Sequence, residues 1–234
     1  MRRLLAVFVA ALLALAGPAS AKPEKADGYK GADAGRLVLS IVEGDDVSGF
    51  SGWLELRKTD ATGAPDPRFK PFRAYLGAAD FSLPKPADWS SRPKTLLGAL
   101  HRRQAGVIVV KRLPPGSYEV YNLGAVTSHS GATVTFSLRS EISIPIEVKP
   151  GHSVYIGQFE AIGVMGPNRV GITIPVDVRF QVSDQSGRDF SFALRKDSAV
   201  GLPEVAILDT KGVDEQVLVR APAAYDKPYP QTVR

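Results

Sequence analysis

The chain of 234 residues contains no cysteine. This absence excludes disulfide bonds, thiol catalysis, thiolate metal sites and lipid attachment through cysteine. The stability of the folded protein must therefore come from a packed hydrophobic core. The chain is long enough to bury such a core, either in one large domain or in two small ones.

Long hydrophobic segments are also absent, apart from the run at residues 4–15. This run is too short to span a bilayer, follows the basic start Met1-Arg2-Arg3, and leads to the small-residue sequence Ala19-Ser20-Ala21. A basic start, a short apolar run and a small-residue cleavage site are typical of a secretory signal. We therefore expect residues 1–21 to be a signal peptide, and the product to be periplasmic or secreted without a transmembrane anchor.

The charge of the chain is only mildly basic. Without Arg2 and Arg3 it has 27 basic and 24 acidic residues, a formal charge of +3. Proteins that bind nucleic acids gather Lys and Arg on one face, whereas the densest cluster here is residues 101–103 with 111–112 nearby. The composition therefore does not favour a nucleic-acid partner.

Histidine is scarce, with His101, His129 and His152 far apart in the chain. No His-x-x-x-His or Glu-x-x-His pair, nucleophile elbow or phosphate-binding glycine loop is present, so we expect no metal, cofactor or catalytic residue. One enzymatic alternative stays open, a hydrolase of envelope polymers with His129 or His152 as the base. It requires that histidine to lie in a cleft beside a carboxylate and a serine.

Alternation of apolar and polar residues dominates residues 36–220 and predicts about ten short strands. The clearest strand runs from Ile172 to Val182, and residues 190–194 are predicted to form another. Because proline cannot donate to a strand ladder, Pro145 and Pro175 indicate edge strands or bulges. The sequence thus predicts an all-β protein, an antiparallel β-sandwich of the immunoglobulin or transthyretin-like type.

Three segments depart from this pattern. Residues 22–35 have the composition of a flexible lead-in, and residues 221–234 that of a disordered tail. Residues 60–104 contain six prolines and form a long irregular excursion from the sandwich. Long loops of compact domains are often functional, so the excursion is the favoured position for a specific surface.

Aromatic residues mark a candidate binding surface. Trp53 lies on the polar face of its predicted strand, and further aromatic residues are spread through the excursion. The candidate binding residues are Trp53, Phe69, Phe72, Tyr75, Phe81 and Trp89. Exposed aromatic side chains stack on sugars or anchor protein partners. In the simpler interpretation they cover the open end of the sandwich and form a satellite cluster.

A turn motif at residues 113–118, Leu-Pro-Pro-Gly-Ser-Tyr, is the most specific internal signal. Pro115 and Gly116 favour a type II turn, and the hydroxyl of Tyr118 can return to the upstream backbone as in a tyrosine corner. These three residues are predicted to be structural. With this motif and the following strands, residues 107–157 resemble transthyretin-like and carboxypeptidase-regulatory β-sandwich modules and related exported bacterial domains.

The resemblance implies an accessory or binding module without catalytic residues. The sequence therefore favours an exported, non-enzymatic protein with a binding or accessory role in the cell envelope, and an envelope protein or polysaccharide as its partner. Besides the hydrolase, a structural subunit that assembles through strand edges remains an alternative. No sequence feature indicates the oligomeric state.

Overall fold

A computed structural model describes residues 23–43, 50–75, 81–83, 106–129, 132–196, 198–201 and 203–228. The predicted signal peptide lies outside these residues. In chain order the strands are β1 (Glu24–Lys25), β2 (Gly35–Glu43), β3 (Ser51–Lys58), β4 (Phe69–Lys70), β5 (Phe72–Tyr75), β6 (Phe81–Leu83), β7 (Gly106–Leu113), β8 (Gly116–His129), β9 (Ala132–Ser137), β10 (Ile144–Val148), β11 (Ser153–Pro167), β12 (Thr173–Ser183), β13 (Pro203–Val205) and β14 (Leu218–Arg220). One α-helix is described, α1 (Ser186–Lys196), together with 3-10 turns at Ser198–Val200 and Ala223–Tyr225.

Two sheets form the body of the described structure. The smaller sheet has five strands in the order β10-β8-β3-β5, with β9 also paired to β8, and all its pairs are antiparallel. The larger sheet has seven strands in the order β14-β12-β11-β2-β7-β6, with β13 paired to β11. This sheet is mixed, because β11 runs parallel to β2 and β13, and β12 runs parallel to β14. The predicted all-β sandwich is confirmed, although its larger sheet is not wholly antiparallel.

The main core lies between the two sheets and follows from strand alternation. In β2 the side chains of Leu37, Leu39 and Ile41 enter this core, while Val38 and Val42 point to the opposite face of the sheet. The smaller sheet contributes its own inward set, which includes Leu54, Leu56, Ala74, Tyr118, Val120, Leu123, Ile144 and Ile146. Strand β2 is thus buried on both faces.

Helix α1 covers the opposite face of the larger sheet, where Phe190 and Ala193 pack in a second core cluster with Val38 and Tyr155. The prediction of a strand at residues 190–194 is therefore wrong. The apolar residues at 190, 192, 193 and 194 fit both the alternation of a strand and the period of a helix. The buried residues Phe190 and Ala193 are three residues apart, which places them on one face of a helix. The carboxylate of Asp184 accepts a hydrogen bond from the Ser186 amide and so supports the start of the helix.

Parts of the predicted lead-in and tail are folded onto the sandwich. Strand β1 pairs with β4, and Ala26 is fully buried. At the other terminus the Arg220 guanidinium binds the Asp226 carboxylate through two hydrogen bonds of 2.7 and 3.0 Å. The Lys227 backbone exchanges hydrogen bonds with the start of α1. The polar, proline-containing composition of the two segments does not indicate these contacts, because most of them are made by backbone groups and by one ion pair.

Proline positions agree with the sequence prediction. Pro145 lies in β10, an end strand of the smaller sheet. Pro175 lies in β12 beside a shift in the register between β11 and β12, at Val164 and Met165. Both positions tolerate the missing backbone donor. The excursion is less irregular than predicted, because its residues 69–70, 72–75 and 81–83 form β4, β5 and β6.

The turn at residues 113–118 has the contact expected of a tyrosine corner. The Tyr118 hydroxyl donates to the Pro114 carbonyl oxygen at 2.7 Å, and the ring is buried in the main core. Gly116 has a φ of 130°, a conformation that favours glycine. Burial raises the pKa of Tyr118, so the hydroxyl stays protonated and able to donate.

Replacing Tyr118 by phenylalanine is expected to lower the free energy of unfolding by about 1 kcal/mol, because the Pro114 carbonyl loses its donor while the ring packing is kept. Urea unfolding followed by circular dichroism measures this difference. Tyr225→Phe is the matched control, since Tyr225 is exposed. Equal stabilities of the two variants would contradict a stabilising role for the hydroxyl.

Candidate functional site

The outer face of the smaller sheet carries a row of aromatic and charged side chains. In β3, Leu54 and Leu56 point into the core, so Trp53, Glu55 and Arg57 point outward. Strands β5 and β8 flank β3 on either side and bring further polar residues to the same face. We call this set the outer stripe, and it consists of Trp53, Glu55, Arg57, Arg73, Glu119, Tyr121 and Asn122.

Trp53 lies between a glycine and a guanidinium. It pairs with Gly124 in β8 and with Tyr75 in β5. Its indole rests against Gly124, where an added Cβ would lie 2.5 Å from Cε2 of the ring. The guanidinium carbon of Arg73 lies 4.8 Å from the ring centroid, a cation–π contact. Because of these neighbours Trp53 is only 8% exposed although it lies on the outer face.

Glu55 joins the neighbouring strands through its carboxylate. It accepts a hydrogen bond from Arg73 Nε at 3.0 Å on one oxygen and from Asn122 Nδ2 at 2.9 Å on the other. The Tyr121 hydroxyl also hydrogen-bonds to Glu55. Burial raises the pKa of Glu55, but the hydrogen bonds from Arg73 and Asn122 outweigh it and leave the pKa below its usual value.

The lowered pKa of Glu55 predicts a pH dependence of stability. A carboxyl whose folded pKa lies below its unfolded pKa stabilises the fold above the unfolded value, near 4.3, and loses this effect as the pH falls through the folded pKa. We expect Glu55→Gln to lower the free energy of unfolding by about 1 kcal/mol at neutral pH and by much less near pH 3. Urea unfolding at several pH values tests this expectation. A difference between wild type and variant that is constant with pH would contradict it.

Arg57 forms the second half of the outer stripe. Its Nε donates to Glu119 at 2.6 Å, its terminal nitrogen lies 2.9 Å from Glu141, and its guanidinium stands 4.5 Å from the centroid of Tyr121. Ser143 donates to the other oxygen of Glu119 at 2.5 Å. Each planar group of the stripe is thus held by at least one neighbour, which limits its conformational freedom.

Two buried polar atoms of this face have no hydrogen-bond partner within the part of the chain that the structure describes. One is the indole nitrogen Nε1 of Trp53, and the other is the amide oxygen Oδ1 of Asn122. One atom is a donor and the other an acceptor. An unsatisfied buried group of either kind is unfavourable by about 1–3 kcal/mol. A ligand that supplied hydrogen bonds to these two atoms would remove this unfavourable free energy.

The structure separates the aromatic residues that the sequence groups together. Trp53 and Tyr75 lie on the outer face, and Tyr75 is 43% exposed. Phe72 points into the main core and packs edge-on against Tyr118, with 6.5 Å between ring centroids, while Phe69 packs against the same core beneath the Lys58 amine. The reason is the alternation of β5, in which residues 72 and 74 point inward. The Phe81 side chain and Trp89 lie outside the described residues.

Sequence reasoning missed Arg73 and Asn122 as site residues. The alternation of β3 places Glu55 and Arg57 on the same face as Trp53, so the predicted site could have included both residues. The partner residues depend on the register of β5 and on a register shift between β3 and β8 at Glu55 and Leu56. A single sequence carries no signal for that shift.

The histidines are placed as follows. His152 is exposed in the turn after β10, and its backbone amide donates to the Lys149 carbonyl at 3.2 Å. His129 is the last residue of β8, but its side chain lies outside the described part of the structure, and so does the whole of His101. In the described ranges no three His, Asp or Glu side chains are grouped as metal ligands. None of the described helices is long and apolar enough to cross a membrane.

A second polar cluster lies beneath helix α1. Asp189 accepts hydrogen bonds from Ser40 Oγ at 2.5 Å and from the Tyr155 hydroxyl at 2.6 Å, and Arg188 Nε donates to its other oxygen at 2.8 Å. Ser40, Tyr155 and Asp189 are fully buried. Burial and the nearby carboxylate of Asp189 raise the pKa of Tyr155 well above its usual value. This cluster fastens the helix to the sheet and is closed to a ligand.

Fold and surface together define an all-β sandwich whose smaller sheet carries on its outer face a stripe of aromatic, guanidinium and carboxylate groups in mutual contact. Comparisons of the chain with protein-family models, with curated proteins and with solved structures found no match.

Proposed function

We propose that the protein is a non-enzymatic binding protein of the cell envelope, and that the outer stripe is its binding surface. The observation that carries this proposal is the arrangement of Trp53, Arg73, Glu55 and Asn122, in which each planar group is held by a neighbour on the outer face of the smaller sheet. Side chains that are ordered before a ligand arrives lose little conformational freedom on binding, so such a surface binds efficiently.

The two outer faces of the sandwich differ in a way that supports this proposal. Helix α1 covers the face of the larger sheet and buries Val38 and Tyr155. The outer stripe keeps accessible groups, since Arg73 is 50% exposed and its neighbour Tyr75 is 43% exposed. The envelope assignment comes from the export signal that the sequence predicts at residues 1–21.

A pull-down from envelope extract tests the proposal. The bait is the predicted mature protein, residues 22–234, and the test variant is Arg73→Ala, which removes the guanidinium from Trp53 and Glu55. Lys149→Ala is the matched control, because Lys149 forms an exposed ion pair with Glu204 and is 49% exposed, almost the same as Arg73. We expect a specific binding partner that is retained by the control and lost by Arg73→Ala. Equal retention by both variants would overturn the proposal.

A further inference from the structure

The two side chains of the outer stripe that carry a polar atom without a partner among the described residues, Trp53 and Asn122, lie on one sheet face. Trp53 lies opposite Gly124, and Glu55 lies opposite Asn122, so the two positions in β8 are two residues apart. Residues i and i+2 of a strand face the same side and are separated by about 7 Å along the strand. The side chains of Trp53 and Asn122 therefore belong to the same part of this face.

The orientation of both atoms is fixed by the hydrogen bonds and contacts around them. An ionised carboxylate only accepts hydrogen bonds, so Asn122 must direct its NH₂ group to Glu55 and its oxygen away. The Trp53 indole contacts both Gly124 and the Arg73 guanidinium, which restrict its rotation. The direction of the Asn122 oxygen is thus set by its bond to Glu55, and the indole donor is restrained by its neighbours.

A hydroxyl group is a ligand chemistry that satisfies both kinds of atom. It accepts a hydrogen bond through its oxygen and donates one through its hydrogen, whereas a carboxylate or phosphate dianion can only accept and an ammonium can only donate. We infer that the outer stripe binds a neutral glycan, whose hydroxyls accept from Trp53 Nε1 and donate to Asn122 Oδ1. This inference rests on the proposed function.

The neighbouring residues agree with a sugar ring. Tyr75 pairs with Trp53 across the strands and is partly exposed, so its ring provides a flat apolar surface for the apolar face of a pyranose. Because Trp53 Nε1 and Asn122 Oδ1 are both buried, side chains around them shift when a hydroxyl reaches them, and Arg73 is half exposed and able to do so. Side-chain rotations of this kind at half-exposed positions are common when partners bind.

The charges of the stripe favour a neutral ligand over an anionic polymer. Arg57 is paired with Glu119 and Glu141, and Arg73 is paired with Glu55. Within the outer stripe both guanidinium charges are therefore neutralised by carboxylates. A polyanion would have to displace these carboxylates, while hydroxyls can add to them as further hydrogen-bond donors.

Affinity electrophoresis tests the inference with defined probes. The mature protein is run through gels that contain a neutral glycan, which is dextran, laminarin or a soluble N-acetylated chitooligosaccharide. It is also run through gels that contain the anionic glycan alginate. We expect retardation in at least one neutral gel, an increase of about tenfold in Kd for Trp53→Phe and for Tyr75→Ala, and no change for Lys149→Ala. The first variant removes the donor while keeping an aromatic ring, and the second removes the exposed ring.

The variants keep the test decisive if one of them fails to fold. Circular dichroism checks each protein, and Tyr75→Ala decides the matter if Trp53→Phe is unfolded, since Tyr75 is exposed. Binding to alginate alone, or binding to a neutral glycan that Tyr75→Ala leaves unchanged, would overturn the inference. If no glycan binds but a protein partner is lost with Arg73→Ala, the glycan inference fails and the proposed function stands. If no glycan binds and no partner depends on Arg73, both fail.

Discussion

The Asp189→Ala variant is expected to be less stable than the wild type by about 3–5 kcal/mol, the largest effect of any single substitution considered for this protein. Asp189 is fully buried and receives hydrogen bonds from Ser40, Tyr155 and Arg188. Its removal leaves two buried hydroxyls without their acceptor and a guanidinium without its carboxylate. Urea unfolding followed by circular dichroism measures the change in the free energy of unfolding.

A matched control separates this effect from the loss of a negative charge. Asp177 is an exposed aspartate in β12, and Asp177→Ala should change the free energy of unfolding by about 0.5 kcal/mol or less. A double-mutant cycle of Asp189→Ala with Tyr155→Phe then measures the coupling across their 2.6 Å hydrogen bond. If Asp189→Ala is no more destabilising than the control, the cluster does not fasten the helix.

Replacing Gly124 by alanine is expected to displace Trp53 and destabilise the protein by about 1–3 kcal/mol. The new methyl group would overlap Cζ2 of the indole and would lie 2.7 Å from the Phe136 carbonyl oxygen. The chain has only two tryptophans, so a Trp89→Phe background isolates the emission of Trp53. In that background we expect a red shift of the emission maximum, because the displaced ring becomes exposed to water.

The cause of this effect can be checked by removing the ring. In a Trp53→Ala background the added methyl no longer meets the indole, so the further loss of stability caused by Gly124→Ala should be smaller. An emission maximum that stays unchanged in Gly124→Ala would show that Trp53 does not rest on the glycine. The displaced indole would also move the Nε1 donor, so this variant should lose any ligand that depends on that donor.

Strand alternation was enough to predict the class of fold and one face of the site. Leu37, Leu39 and Ile41 enter the core as their spacing predicts, and Trp53 lies on the polar face of β3. Alternation reports which way a side chain points relative to its strand, but not which strand lies next to it. The parallel pairing of β2 with β11 therefore could not be predicted.

Local sequence was ambiguous at α1 and incomplete at the site. The apolar residues at 190–194 fit a strand or a helix, and the choice was decided by the sheet surface that Phe190 covers and by the acceptor role of Asp189 beneath it. For the same reason Phe72 could not be distinguished from a surface aromatic residue before the register of β5 was known. The contacts of Arg73 and Asn122 are made across strands, and such contacts are absent from any local window.

The pairing of β2 has a consequence for the order in which this chain can fold during synthesis. Arg36, at the start of the domain, has its parallel partner at Ser153. In the same sheet β12 pairs first with β11, and its second neighbour, β14, begins only at Leu218. Contacts between such distant parts of a chain form slowly, because a long loop must close before they do. The larger sheet therefore cannot be completed from the N terminus as the polypeptide emerges. Strand β2 can pair with β7 once residue 113 is available, but its other edge stays unpaired until β11 is present, so the larger sheet is completed only when the C-terminal part of the chain arrives.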